Sequence, residues 1–281
     1  MSICVVTDST ADIPPEMREE LGIHVVPLKV IFGDEEFIDG VTMQAPEFFT
    51  RLVDDDVFPT TSQPSPGEFI EAYKGLLDRF DGVVSIHISA ELSGTVDSAT
   101  QARAQMGDAG EAIRIIDSRS ASMGIGLVVL EAARSAQAGG DLDAVAKLAE
   151  DLVPRSGVIF LLDTLEYLRR GGRIGPASAF LGTLLRFRPL LHIDEGIVKP
   201  LARPRSRRKG IERIRAHMES VGAIHSAAVI AANDLVGAAD LAQAINDLVP
   251  GEVPAMSTIG PVIGAHAGPG LIGVAYLTKS V

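Results

Sequence analysis

The chain has a single cysteine, Cys4, in 281 residues, so neither a disulfide framework nor a cysteine-based zinc site can form within one chain. Tryptophan is absent and aromatic residues make up 5%, which argues against an aromatic platform for stacking nucleic-acid bases. Positive charge is also scarce: 25 Lys and Arg stand against 37 Asp and Glu, for a formal net charge of −12. That balance disfavours a general nucleic-acid binder. There is no run of about 18 apolar residues and no basic leader before the first strand-like segment, so the expectation is a soluble, cytoplasmic protein with at most transient membrane contact. Neither a Walker A motif nor G-x-G-x-x-G occurs, which argues against a nucleotide-binding kinase. His24, His87, His192, His217 and His225 show no metal-ligand spacing, so neither a metal nor a cofactor is expected.

What the sequence does hold is enough apolar material for a sizeable core, at 46% hydrophobic residues, and a length that suits one large or two modest domains. Charge is unevenly spread. From Arg169 to Arg215 there are 13 Lys and Arg against 3 Asp and Glu, a local excess of +10, while the remainder carries −22. Such a segment reads either as a docking or anion-facing surface or as a basic helix balanced by acidic neighbours.

Up to Leu152, short β-rich runs alternate with longer helical patterns. Ile3–Val6, His24–Phe32, Val83–Ile88 and Ile113–Ile116 read as strands; Ala45–Val53, a stretch opening at Ser65, and Ala121–Ala138 read as helices. Ser65-Pro66-Gly67-Glu68 forms a capping box with proline at the first helical position. This alternation predicts a parallel α/β unit. Near Pro154 the pattern changes. Helices are expected over Thr164–Arg170 and Pro176–Phe187. Asp194-Glu195-Gly196 signals a hairpin, and further strands read at Ala227–Ala231, Ala255–Ile259 and Gly270–Leu277. The expectation is α/β throughout: two α/β domains, 1–156 with a mainly parallel sheet flanked by helices and 157–281 with a mixed sheet, with a ligand site between them.

Four segments could carry chemistry. Asp8 and Ser9, with Thr10 and Asp12, follow a strand end, where ligands bind in open α/β sheets; helix capping explains them equally well. Thr60-Thr61-Ser62-Gln63-Pro64-Ser65 concentrates hydroxyls ahead of a helix, a cradle for an oxyanion or a capped loop. Ser93-Gly94-Thr95 sits at a helix start, where unpaired N–H groups and the dipole favour an anion and Gly94 admits close approach; the plainer reading is a cap by Ser93. His266 lies among four glycines and two prolines over 260–270, which predicts a constrained loop rather than a helix. It could donate to a buried carboxylate or to Ser93. A serine hydrolase or acyltransferase with Ser93 as nucleophile and His266 as base is therefore an alternative, weakened by the lack of a G-x-S-x-G elbow. Arg169 and Arg170 suit a helix C-terminus, whereas Arg173 falls after the stop at Gly171-Gly172.

V-T-D-S-T-A-D-I-P at 6–14, T-S-Q-P-S-P at 61–66, S-A-E-L-S-G-T at 89–95, D-S-R-S-A-S-M-G at 117–124, L-E-Y-L-R-R-G-G-R-I at 165–174 and G-P-V-I-G-A-H-A-G-P-G at 260–270 together resemble the DegV family of bacterial fatty-acid-binding proteins. The resemblance spans essentially the whole chain. It implies a long-chain fatty acid buried between and within two α/β domains, its carboxylate held by Thr61 and Ser93 beside Gly94. His266 would support that network, with Ser62, Asp8 and Ser9 as nearby polar residues. It further implies a carrier without catalysis of its own. Such a carrier presents the carboxylate to a separate ATP-dependent fatty acid kinase for acyl-phosphate formation in phospholipid metabolism, with Arg173, Arg203 and Arg170 as the docking surface.

Overall fold

A computed structural model describes residues 2–181, 187–250 and 255–280. Four strands, in the order His24–Val26, Ile3–Asp8, Gly82–His87, Ile113–Asp117, pair in parallel throughout. The strands Ile3–Asp8 and Gly82–His87 are buried along their whole length, as strands covered on both faces must be. A second sheet is mixed. Its order is Ile197–Ala202, Leu190–Asp194, Ser156–Leu161, Ile272–Thr278, Ile224–Ala231, Ala255–Thr258, and only the last pair is parallel. The α/β class, with a parallel sheet and a mixed sheet flanked by helices, is thus as expected.

The hairpin at Asp194–Ile197 turns through Glu195 (φ 54°) and Gly196 (φ 82°). Two positive φ values in a two-residue loop match the right-handed twist of the flanking strands. The turn is held across the molecule, where Ser89 Oγ donates to the Gly196 carbonyl and the Arg119 guanidinium to the Glu195 carbonyl, each at 2.8 Å.

A third sheet was not foreseen. Glu35–Ile38, Lys29–Phe32 and Thr60–Ser62 pair antiparallel, so the hydroxyl-rich segment expected as a loop is an edge strand. Two further expectations change. Gly260–Gly270 is not a loop: Pro261–Ala267 is an α-helix, entered through proline in its first turn and stopped at Gly268 (φ 78°). Within the expected helix Pro176–Phe187, the described part is a 3₁₀ turn, Gly175–Phe180, and 182–186 lie outside the described residues.

The helix Met123–Gln137 lies against strands of both large sheets, Ile3–Asp8 on one side and Ser156–Leu161, Ile272–Thr278 and Ile224–Ala231 on the other. Its unbroken run from Met123 to Leu130 is buried. Gly124 sets how closely it approaches. A Cβ there would come within 2.4 Å of Val158 Cγ2 and 2.1 Å of Ser120 Oγ. Gly124→Val is therefore expected to destabilise the protein by about 3 kcal/mol or more, because a packed core cannot absorb the added volume. Urea denaturation against the wild type checks this; a loss below about 1 kcal/mol would mean that the helix is free to shift.

Candidate functional site

Thr61 is the middle residue of the short edge strand, paired with Val30. The alternation of a strand sends Thr61 and Ser62 to opposite faces. His266 stands in the last turn of Pro261–Ala267. That helix seats on the aromatic pair Phe48 and Phe49, and only glycine fits at 264, where a Cβ would lie 2.7 Å from the Phe48 ring. The seating brings His266 Nε2 to 2.9 Å from Thr61 Oγ1, across 205 residues of sequence.

Burial of the imidazole, and secondarily the charge of Arg173, lower the His266 pKa to about 4. The ring is therefore neutral at physiological pH. Its Nδ1 is buried without a protein partner, closely covered by Gly171, where a Cβ would come within 2.2 Å of that atom. In the tautomer protonated at Nε2, the histidine donates to Thr61 and leaves the threonine proton free to donate onward.

Ser93 does not cap the helix Thr95–Gln105. The N-cap position is Gly94, and no side chain satisfies the first-turn N–H groups. Ser93 Oγ is instead 2.9 Å from the hydroxyl of buried Thr95. When Thr95 donates, the Ser93 proton is likewise free. Gly94 is closed over by the Gln63 amide, whose Nε2 would lie 2.9 Å from a Cβ there.

Thr61, Ser93, Gln63, Ser122, Arg173 and His266 form the polar part of one cavity. The rest of its wall is apolar, with Val158, Phe160, Ile193, Val198 and Ile230 from the mixed sheet and Leu28 and Ile88 from segments next to strands of the parallel sheet. Counted out through its mouth into open solvent, its non-atom space is about 800 Å³. A surface depression shares Leu92, Ser93, Arg173 and Val198 with it and adds Gly94, so the polar end is approached from outside as well. Arg173 is exposed, yet its Nε donates to the Leu92 carbonyl at 3.1 Å and ties the basic segment to the Ser93 loop. A slot with apolar walls, neutral hydroxyl donors, a helix start and one cation at its polar end suits an amphiphile with an anionic head.

The other expected residues lie elsewhere. Ser62 does not line the slot; its hydroxyl donates to the Gln63 carbonyl at 3.2 Å. Asp8 and Ser9 do not reach it either. Asp8 is fully buried and accepts from the N–H groups of Thr10 and Ile88, from the Thr10 hydroxyl and from His87 Nδ1. The chain continues from His87 Nε2 to Ser85 at 2.7 Å and on to Tyr73, whose hydroxyl donates to Ser85 at 2.8 Å. All four side chains are sealed from solvent, so this Asp–His–Ser line locks the parallel sheet to the helix Pro66–Leu77 and exposes no nucleophile. Ser9 Oγ accepts from the Leu28 N–H at 3.0 Å.

Arg170 and Arg203 are exposed and stack on aromatic rings, Arg170 over Phe58 at 3.9 Å and Arg203 over Phe180 at 4.3 Å. Gln63 and Ser122 were not singled out individually, although both stand inside the quoted motifs. Nothing local marked them, because their role depends on which way a loop folds over the slot. Among the described residues, no group of His, Cys, Asp and Glu side chains is arranged to hold a metal ion, and no helix is long and apolar enough to cross a membrane.

Comparison with known proteins bears on this geometry. A family model described as "Uncharacterised protein, DegV family" matches residues 2–279. A DegV domain-containing protein of Deinococcus radiodurans is 38% identical over 98% of both chains, and protein DegV of Bacillus subtilis is 35% identical over 99% of this chain and 100% of its own. Among solved structures, a DegV family protein from Thermus thermophilus, described for its fatty acid binding, superposes with a TM-score of 0.92 at 37% identity, covering 99% and 100% of the two chains. DegV of Bacillus subtilis, described as a fatty acid binding protein, does so with a TM-score of 0.87 at 35% identity and the same coverage.

Proposed function

We propose that this chain, which belongs to the DegV family, is a carrier that holds a long-chain fatty acid in the slot and presents its carboxylate to a separate ATP-dependent fatty acid kinase. The observation that carries the binding half is an apolar slot ending at Thr61, Ser93 and neutral His266. The fatty acids described with similar solved structures support the same ligand. Burying about fourteen methylenes at about 0.8 kcal/mol each contributes roughly 11 kcal/mol before ordering costs. The tail then sets affinity, and the hydroxyls set which head group is accepted, since an unbonded buried carboxylate is too costly. We assign the division into units 1–156 and 157–281 to the same reading; every strand of the parallel sheet precedes residue 118 and every strand of the mixed sheet follows residue 155.

The carrier reading takes further support from the hydrogen bonds of the slot. His266 Nε2 faces Thr61 and Ser93 faces Thr95, so among the described residues no base is hydrogen-bonded to Ser93. Mass spectrometry of an organic extract from the purified, denatured protein tests the ligand. A stoichiometric long-chain fatty acid is expected; an empty extract together with no uptake of added fatty acid would move the Ser93 enzyme reading ahead.

The presenting half rests on the depression where Ser93 and Arg173 meet the surface, and on the exposed Arg170 and Arg203 nearby in sequence. Arg173→Glu is expected to reduce acyl-phosphate formation by a fatty acid kinase at least tenfold per mole of fatty acid bound, a normalisation required because Arg173 also lines the slot. Arg203→Glu and Arg170→Glu should act in the same direction. A kinase indifferent to all three would leave the protein as a binder without this partner.

A further inference from the structure

A second cavity shares no lining residue with the slot. Its wall includes Asp8, Ser9, Asp12, Arg18, Asp39 and Gly260, and it encloses about 1200 Å³ of non-atom space up to and including its mouth. Val41 and Met256, both well exposed, stand at that cavity.

Its three carboxylates are not equivalent. Asp8 is saturated by the donors described above. Asp12 accepts from Ser122 Oγ at 2.5 Å and from the Gly260 N–H at 2.8 Å. Asp39 is different. Its residue is 3% exposed, yet neither carboxylate oxygen has a closed hydrogen bond from the protein. The Ser9 hydroxyl and the Val262 N–H face it and favour its charge without closing one. A carboxylate this deep normally finds donors.

Arg18, on the helix Pro15–Leu21, lines the same cavity and is close enough for its charge to favour the ionised form of Asp39, but the two form no ion pair. Arg18 Nε is buried and unpartnered as well. The cavity thus presents a carboxylate without a closed hydrogen bond and a guanidinium whose Nε has none, and the two do not pair with each other. A bound cation alone would meet Arg18, and a bound anion alone would meet Asp39, each a like-charge contact.

We propose that this cavity binds a small zwitterion, with its ammonium group on Asp39 and its anionic group on Arg18. Three N–H donors of an ammonium fit two free carboxylate oxygens, and a guanidinium pairs with a carboxylate or a phosphate through its fork of donors. Gln44, Ser257 and Thr258 supply further polar wall. Burial raises the Asp39 pKa to about 6, so at pH 8 it is ionised, while burial holds Asp12 toward its protonated form.

The test is calorimetric titration of the full chain at pH 8 with glycine, β-alanine, 4-aminobutyrate and O-phosphoethanolamine, which span charge separations and both anionic groups. Propylamine and butyrate serve as single-charge controls. At least one zwitterion should saturate at one site per chain, with both controls at least tenfold weaker. Asp39→Asn and Arg18→Gln should each weaken it tenfold or more, and the Thr61→Ala, Ser93→Ala double variant should bind it unchanged. The proposal falls if no zwitterion saturates, if a single-charge control binds equally well, or if binding survives both Asp39→Asn and Arg18→Gln. The controls act on the wild type, so the test stands even if a variant fails to fold. Preference for O-phosphoethanolamine over the amino acids would identify a phosphate head, and the reverse a carboxylate. Neither outcome by itself tests the fatty acid slot, since the two cavities share no lining residue.

Discussion

Replacing both Thr61 and Ser93 by alanine is expected to weaken fatty acid binding by roughly 10²- to 10⁴-fold while the protein stays folded, since a hydrogen bond to a charged group contributes about 1.5–3 kcal/mol and two are removed. Both side chains are only partly buried and neither holds an element together: Thr61 bonds His266, and Ser93 bonds Thr95. The wild type should prefer a long-chain acid over the alcohol of equal length by about the same factor. In the double variant that preference should collapse, because the apolar wall treats the two tails alike. Titration of acid and alcohol against both proteins checks this. A double variant that still prefers the acid by the full margin would show that Arg173 or the first-turn N–H groups at Gly94 hold the carboxylate without the hydroxyls.

The second large effect is on stability against pH. His266 has a folded-state pKa of about 4 against an ordinary 6.5, because burial first, and Arg173 second, disfavour the imidazolium. The unfolded chain therefore takes up this proton before the folded one. Stability from the buried neutral ring is full above pH 6.5, declines as the pH falls through the window, and is gone near pH 4. The difference amounts to about 3 kcal/mol, at 1.36 kcal/mol per pKa unit. Asp39 works in the opposite sense over part of the same range. Its raised pKa of about 6 stabilises the folded form as the pH falls from 6 toward 3.8, and is lost as the pH rises through 6. The two trends oppose each other in the wild type, so the relevant observable is the difference between the wild type and His266→Gln in denaturation series from pH 7.5 to 4.5. The wild type should lose about 2–3 kcal/mol relative to the variant over that range. Parallel curves would mean that the imidazole meets solvent and is not the buried neutral partner of Thr61.

What could be read from the sequence was local. The capping box Ser65–Glu68 forms as expected, with the Glu68 carboxylate accepting from the Ser65 N–H at 2.7 Å, because both partners lie within one turn. Asp141 caps its helix by accepting from the Ala144 N–H. The hairpin at Asp194–Gly196 follows from a short polar turn ending in glycine between two apolar runs. The α/β class follows from period alone, since apolar runs of strand length alternate with longer runs at helical spacing.

Other features depend on contacts remote in the chain. Thr60–Ser62 has no apolar alternation to announce a strand; it is one because Lys29–Phe32 offers an edge to pair with. Gly260–Gly270 has the composition of a loop, and part of it is helical because Phe48 and Phe49 provide a surface that glycine at 264 lets it meet. Asp8 and Ser9 read as part of the same polar site as Thr61, but Asp8 is drawn inward by the His87 side chain and the Ile88 N–H, seventy-nine and eighty residues away.

By itself, the sequence determined the class of the fold, the helix caps at Ser65 and Asp141, the hairpin, and part of the short list from which the site is built, because each of these depends on residues within a few positions of one another. Only the tertiary structure decided which of those residues share a cavity. It brought His266 to Thr61, turned Ser62 away and placed Asp39 and Arg18 in one cavity. The physical reason is that a side chain's partner is set by which backbones pack together, and close packing depends on glycines, ring faces and strand edges that lie far apart in the chain.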